Sequence, residues 1–232
     1  MRGLIALAAK PVRLQLLARY YNPLAEEPAY TLYPRLIGSS DTVVEVGAHT
    51  GGGTYLLSLI AKEVHAFEPN PYSFYLAHSF LKRQNRKNVF LYNHGLSDRS
   101  GHAKLFVKGI REDIRGTFNQ NLTGIHPKTA FTVKVEPLDS LYLKPSAIIM
   151  DAEGSEPEVL QGATETLKSV SKLVVETHQT LKGHTQPQVI DFLTEHGFSL
   201  KQELILKGRV NWLVFERGNC SVGTSFSPLP PP

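Results

Sequence analysis

The chain has a single cysteine, Cys220, no apolar run long enough to cross a bilayer, and no dominant charge sign. One thiol excludes an internal disulfide, so a disulfide-stapled scaffold is ruled out and a reducing compartment is expected. The sequon Asn121-Leu-Thr123 is on that ground a coincidence rather than a glycan site. A membrane-spanning helix needs about 20 apolar residues, whereas the apolar stretch Gly3–Ala9 ends at Lys10-Pro11 without a small-residue cleavage site. That argues against a signal peptide and for an amphipathic helix continuing through Val12–Tyr20, in a cytoplasmic protein with no membrane span. The formal net charge of +4 permits an anionic partner without requiring one. Lys82, Arg83, Arg86 and Lys87 cluster on one segment, but such a run is usually a solvated helix face, and no nucleic-acid-binding module is recognisable.

What is present is the composition of a globular chain able to bury a full core, 41% hydrophobic and 20% charged over 232 residues. Residues 1–40 read as a helical cap broken into pieces by Pro23, Pro28 and Pro34. Strand and helix patterns then alternate: strand Thr42–Val46, helix to Ile60, strand Glu63–Phe67, helix Pro71–Asn85, strand Val89–His94. Alternation of this kind specifies a parallel sheet with right-handed crossovers. An insertion at about 100–141 interrupts it, with strands at His102–Lys108 and Phe131–Glu136 around a polar segment, Gly109–Ala130, expected to act as a substrate-facing lid. The pattern resumes with strand Ala147–Met150, helix Glu156–Ser169, strand Leu173–Glu176 and helix Gln186–His196. It closes on a hairpin, Phe198–Leu206 and Val210–Phe215. The division is a cap at 1–40, an α/β domain at 41–218 and a flexible proline-rich tail at 219–232.

The segment Asp41–Thr54 is the most informative. A β-branched strand stops at a turn carrying Gly47 and Gly51, whose lack of a Cβ lets the backbone bend sharply and approach a ligand. The next strand ends in an acid, Glu68, where a nucleotide-binding fold puts its ribose-binding carboxylate. His49 stands where the dinucleotide fingerprint G-x-G-x-x-G requires its second glycine. The turn therefore suits a nucleoside with a small charged tail, such as S-adenosylmethionine (SAM), better than a pyrophosphate.

Seven blocks occur in order: Glu45-Val-Gly-Ala-His-Thr-Gly51, Ala66-Phe-Glu-Pro-Asn-Pro71, Gly95-Leu-Ser-Asp98 with Gly101, Pro137-Leu-Asp-Ser-Leu141, Met150-Asp-Ala-Glu-Gly-Ser-Glu156, Val159-Leu-Gln-Gly-Ala163 and Val174-Val-Glu-Thr-His178. Together they resemble the FkbM-type SAM-dependent methyltransferases. Two departures stand out: Glu45-Val-Gly-Ala-His49 where that family usually reads D-V-G-A-N, and Asp151-Ala-Glu-Gly154 where it usually reads D-V-E-G. Both keep the carboxylate. The resemblance implies a Rossmann-like class I methyltransferase fold, with a seven-stranded, mostly parallel sheet whose last strand is antiparallel. It also implies methyl transfer from SAM to a hydroxyl of a sugar, glycolipid or natural product. An RNA methyltransferase and a non-catalytic nucleoside-binding protein are the alternatives.

Ligands of open α/β sheets sit beyond the carboxyl ends of the strands, and Glu45, Glu68, Asp98, Asp151 and Glu176 all lie at or just past such ends. Cofactor contacts are expected from Glu45, Gly47, Ala48, His49, Thr50, Gly51, Glu68 and Pro69, and also from Asp151 beside the transferred methyl. The resemblance puts Ser97 and Asp98 beside the adenine. Glu176 and His178, two positions apart on an extended segment, face the same side. With Asp151 they are the candidate catalytic group, His178 acting as base. The same three side chains could hold a divalent metal, and Mg²⁺ would prefer the carboxylates; the base is taken ahead of the metal. Glu156 is read as a first-turn helix acid favoured by the macrodipole, with Glu153 left open. The other histidines, at 65, 78, 94, 102, 126, 184 and 196, show no metal-ligand spacing.

Overall fold

The computed structural model describes residues 29–107, 116–118, 129–180, 182–206 and 210–218. The expectations for residues 1–28, most of the polar insertion, Cys220 and the proline-rich tail lie outside these.

In chain order the strands are β1 (Thr42–Val46), β2 (Glu63–Phe67), β3 (Val89–Tyr92), β4 (Gly95–Leu96), β5 (Gly101–Val107), β6 (Gly116–Thr117), β7 (Thr129–Glu136), β8 (Ala147–Met150), β9 (Lys172–Thr177), β10 (Gln179–Thr180), β11 (Gly183–His184), β12 (Phe198–Leu206) and β13 (Val210–Arg217). The helices are α1 (Ala29–Leu36), α2 (Gly52–Ile60), α3 (Pro71–Arg83), α4 (Glu156–Gln161) and α5 (Gln186–Glu195). The main sheet has the order β12-β13-β9-β8-β1-β2-β3. Its pairs are parallel from β9 through β3, and β13 is antiparallel to both β9 and β12. The expected seven strands and the antiparallel last strand are therefore present. Strand β1 starts in the middle, and the chain runs outward first to β2 and β3 and later to β8 and β9. The switch point falls between β1 and β8, the place where such sheets bind ligands.

Successive residues of a strand serve opposite faces. On β1, Val44 and Val46 join one core with Phe67, Ile148, Met150, Leu160 and Leu193. Val43 joins the other with Ile149, Leu56, Leu57 and α1. Helix α1 runs through Pro34 instead of breaking there. The Ile37 N–H still donates to the Tyr33 carbonyl at 2.8 Å, and Leu32, Tyr33, Leu36 and Ile37 are buried. Burying four such side chains, at about 1.5–3 kcal/mol each, outweighs the helical hydrogen bond that proline removes.

The helix expected over 156–169 is two pieces, α4 and a 3₁₀ turn at Thr166–Ser169. The break has a packing cause. A Cβ at Gly162 would lie 1.9 Å from the Ser97 carbonyl oxygen, so the chain here passes directly against residue 97. Asp139 then restarts the chain by accepting the N–H groups of Glu165 and Thr166 at 3.0 and 2.7 Å. Strand β3 also stops two residues early. Asn93 leaves the sheet and its amide donates to the Glu68 carbonyl at 2.9 Å, after which β4 joins a second sheet of order β4-β7-β5-β6.

Candidate functional site

Strand register builds the site. Val46 is level with Phe67 on one side and with Met150 on the other, and Met150 is level with Val175. The next residue of each strand therefore makes a row across the carboxyl edge: Gly47, Glu68, Asp151 and Glu176.

At the β1–β2 end the backbone does the work. Gly47, at φ +91°, has no room for a side chain, since a Cβ would lie 2.2 Å from the Asp151 carbonyl oxygen. His49 is left-handed at φ 49°, a conformation in which Asn, Asp and His are over-represented. The replacement of the family's Asn by His49 is thus explained by the backbone. The His49 N–H donates to Glu68 Oε2 at 2.7 Å, and the Asn70 N–H to Oε1 at 2.8 Å. Each Glu68 oxygen keeps acceptor capacity for another donor, which fits the vicinal hydroxyls of a ribose. Glu45 faces the other way, under the first turn of α2, where Thr54 donates its hydroxyl at 2.5 Å. Gly53 makes that seat possible, since a Cβ there would meet Glu45 Oε1 at 2.6 Å. Burial pushes Glu45 up to about 8, with Thr54 pulling against it and the Asp151 charge adding to it. Burial also pushes Glu68 up to about 8 against its two N–H donors, with the charges of Asp151 and Glu45 assisting.

Ser97 and Asp98 lie on the turn after β4. Ser97 donates to Asp98 Oδ1 at 3.0 Å, and Arg99 lies 3.4 Å from Oδ2. Among the described residues no hydrogen bond ties this turn to Glu68 or Asp151.

The β8–β9 end is charged and centres on His178. Its Nδ1 is 2.9 Å from Glu156 Oε1. Its Nε2 is 3.6 Å from Asp151, 3.7 Å from Glu153 and 3.9 Å from Glu176. The expected trio is thus brought together, and two further acids join it. Glu156 is in the first turn of α4, as expected, but its contact is with His178 rather than with the helix end alone. It is fully buried and also accepts the Gly154 N–H at 2.9 Å. Glu153 is held left-handed at φ 48°, followed by Gly154 at φ 93°, while Thr117 of the insertion donates its hydroxyl to the Glu153 carbonyl at 2.6 Å. Burial works to lower the His178 pKa, but the charge and hydrogen bond of Glu156, with Asp151 and Glu153 behind, raise it well above its usual value. The Glu156 carboxyl, which burial alone would raise, is correspondingly held low by His178. Thr54 and Thr117 are not among the residues expected from the sequence, and the contact of Glu156 with His178 is not expected either. Only the Thr54 hydroxyl, nine residues after Glu45 in the first turn of a helix, carries a signal.

A mostly parallel sheet with acids along its carboxyl edge at the switch point and an antiparallel last strand defines the Rossmann-like class I methyltransferase fold. The model of the methyltransferase FkbM domain matches residues 45–200, and the chain belongs to that family. The hexuronic acid methyltransferase AglP of Haloferax volcanii is 32% identical over 145 residues, 60% of this chain and 56% of that protein. Among solved structures, methyltransferase FkbM from Methylobacillus flagellatus KT aligns with a TM-score of 0.51 at 16% identity, over 92% of this chain and 57% of that one. A Streptococcus mutans protein in complex with SAH aligns at 0.52 and 16% identity, over 82% and 96%. The chain spans little more than half the length of AglP and of the Methylobacillus protein. No helix among the described residues is long and apolar enough to cross a membrane.

Proposed function

We propose that the chain is a SAM-dependent O-methyltransferase acting on a sugar hydroxyl. Family membership and the likeness to a hexuronic acid methyltransferase support this. The observation that carries it is the row Gly47–Glu68–Asp151–Glu176, which joins the glycine turn to the polar cluster around His178 through one shared residue, Asp151. The residues present fit the cofactor. Glu68 would accept from the ribose hydroxyls, the turn from Gly47 to Gly51 would lie along the methionine part, and Glu45 would hold that turn to α2. Ser97 and Asp98 would flank the base. SAM supplies an electrophilic methyl group, the C–S electron pair staying on sulfur as the acceptor oxygen's pair makes the new O–C bond.

What remains for the protein is to align the acceptor oxygen with that methyl, where orientation supplies much of the rate, and to ease loss of the hydroxyl proton. The β8–β9 end, with His178 and its four acids, would do the second. With its pKa raised by the charge and hydrogen bond of Glu156, His178 would take up or orient the departing proton. Under this reading the reaction belongs in a reducing compartment such as the cytoplasm.

The test is incubation of purified protein with methyl-labelled SAM and a panel of uronic acids, neutral sugars and RNA. Label in a sugar ether is the expected result. Label confined to RNA would overturn the acceptor class, and no label anywhere despite SAM binding would favour a non-catalytic binder.

A further inference from the structure

We infer that Asp151, Glu153 and His178, with Glu176 beside them, form a binding site for one divalent cation of the Mn²⁺ type. The ion's role, to hold the acceptor oxygen, rests on the function proposed above; its binding does not.

Ligand atoms from Asp151, Glu153 and His178 all lie within 4.8 Å of one another. The three carboxylates at 3.6–3.9 Å from His178 Nε2 are too far for hydrogen bonds. They are at the separation expected of atoms sharing an ion. Bonds of roughly 2.1 Å place two ligands about 3.0 Å apart at a right angle and about 4.2 Å apart when opposite.

Three independent features prepare this arrangement. Glu156 takes His178 Nδ1, which leaves Nε2 as the ligating nitrogen, the relation seen where a carboxylate orients a metal-bound histidine. Asp151 Oδ1 is buried and has no hydrogen-bond partner among the described residues, although buried carboxylate oxygens are normally satisfied. Glu153 is held in a left-handed conformation that costs on the order of 1 kcal/mol or more, stabilised by Thr117 from a distant part of the chain. That loop conformation puts the Glu153 carboxylate beside His178.

Carboxylate oxygens with one imidazole suit Mn²⁺ better than the sulfur-rich or nitrogen-rich sites that select zinc or copper. An acceptor hydroxyl bound to the ion would be acidified. The O–H bond breaks, the electron pair stays on oxygen for the new ether bond, and the proton leaves to solvent.

The experiment is titration of the whole chain with Mn²⁺, following the free-ion electron paramagnetic resonance signal, with calorimetric SAM binding measured in parallel. One equivalent of bound Mn²⁺ is expected, weakened at least tenfold by His178→Ala and by Glu153→Gln. SAM affinity should stay unchanged in His178→Ala, showing an intact fold. Glu165→Gln, on the exposed 3₁₀ turn, should leave Mn²⁺ binding alone. Undiminished free signal at millimolar Mn²⁺, or equal binding by both site variants, would overturn the site. Should His178→Ala not fold, Glu153→Gln decides the matter. Mn²⁺ binding without SAM binding would sink the proposed function and leave the site standing.

Discussion

Glu68 and Glu156 are both buried at the carboxyl edge of the same sheet, yet they are driven in opposite directions. Glu68 is surrounded by backbone N–H groups, and burial pushes it up to about 8. For Glu156 burial acts the same way, but contact with His178 wins and holds it below the ordinary carboxylate value. Burial acts on both carboxyls in the same sense, yet the shifts are opposite; the nearest charge decides. The β1–β2 end is poised for hydroxyl donors, which would favour the ionised Glu68. At the β8–β9 end His178 and Glu156 favour each other's charged forms, and the proposed cation would sit beside them. Asp151 belongs to both, since its charge is felt at Glu45, Glu68 and His178.

The comparison makes separable predictions. The largest effect is expected from His178→Ala, which should lower turnover about 10²–10⁴-fold while leaving SAM affinity intact; a comparable loss of SAM binding would merge the two ends into one. Gly47→Ala lies on the seam. Its Cβ would collide with the Asp151 carbonyl at a backbone angle that disfavours side chains. A destabilisation of about 2–4 kcal/mol should appear in denaturant unfolding together with weaker SAM binding. Glu68→Ala should lose roughly 1.5–3 kcal/mol of cofactor affinity, with turnover at saturating SAM largely retained; undiminished calorimetric affinity in a folded variant would remove Glu68 from the site.

The smallest effect is in pH. The free chain holds a proton on Glu68 below about 8, and accepting ribose hydroxyls favours its loss, so SAM affinity should rise with pH and level off above 8. Stability of the unliganded chain runs the other way. A folded value raised above 4.5 means that the folded state binds more protons between the two values. Its contribution is full below 4.5 and is lost as pH rises through 8. Affinity flat from pH 6 to 9 would deny the link.

Much of this was legible from residue order, because strand ends and register are written in periodicity. Thr42–Val46 and Glu63–Phe67 carry β-branched or alternating apolar residues up to the residue before each turn, so Gly47 and Glu68 could be placed by counting. The seven blocks supplied the family. What periodicity could not carry was direction and long-range contact. Glu156 heads a helix and reads as a first-turn acid; its contact with His178, which follows β9, could not be read from the sequence. Gly162 lies within an otherwise helical pattern, and the Ser97 carbonyl that ends α4 comes from a segment 65 residues earlier. The hold of Thr117 on Glu153 spans the insertion, whose polar sequence has no period to read.

The central claim is that the β1–β2 turn and Glu68 bind SAM, and it is tested most directly by calorimetry on the purified chain with SAM, with its demethylated product and with NAD. The account predicts micromolar-class binding of the first two and no heat with NAD. Clear binding of NAD, with none of either sulfur-containing ligand, would contradict it.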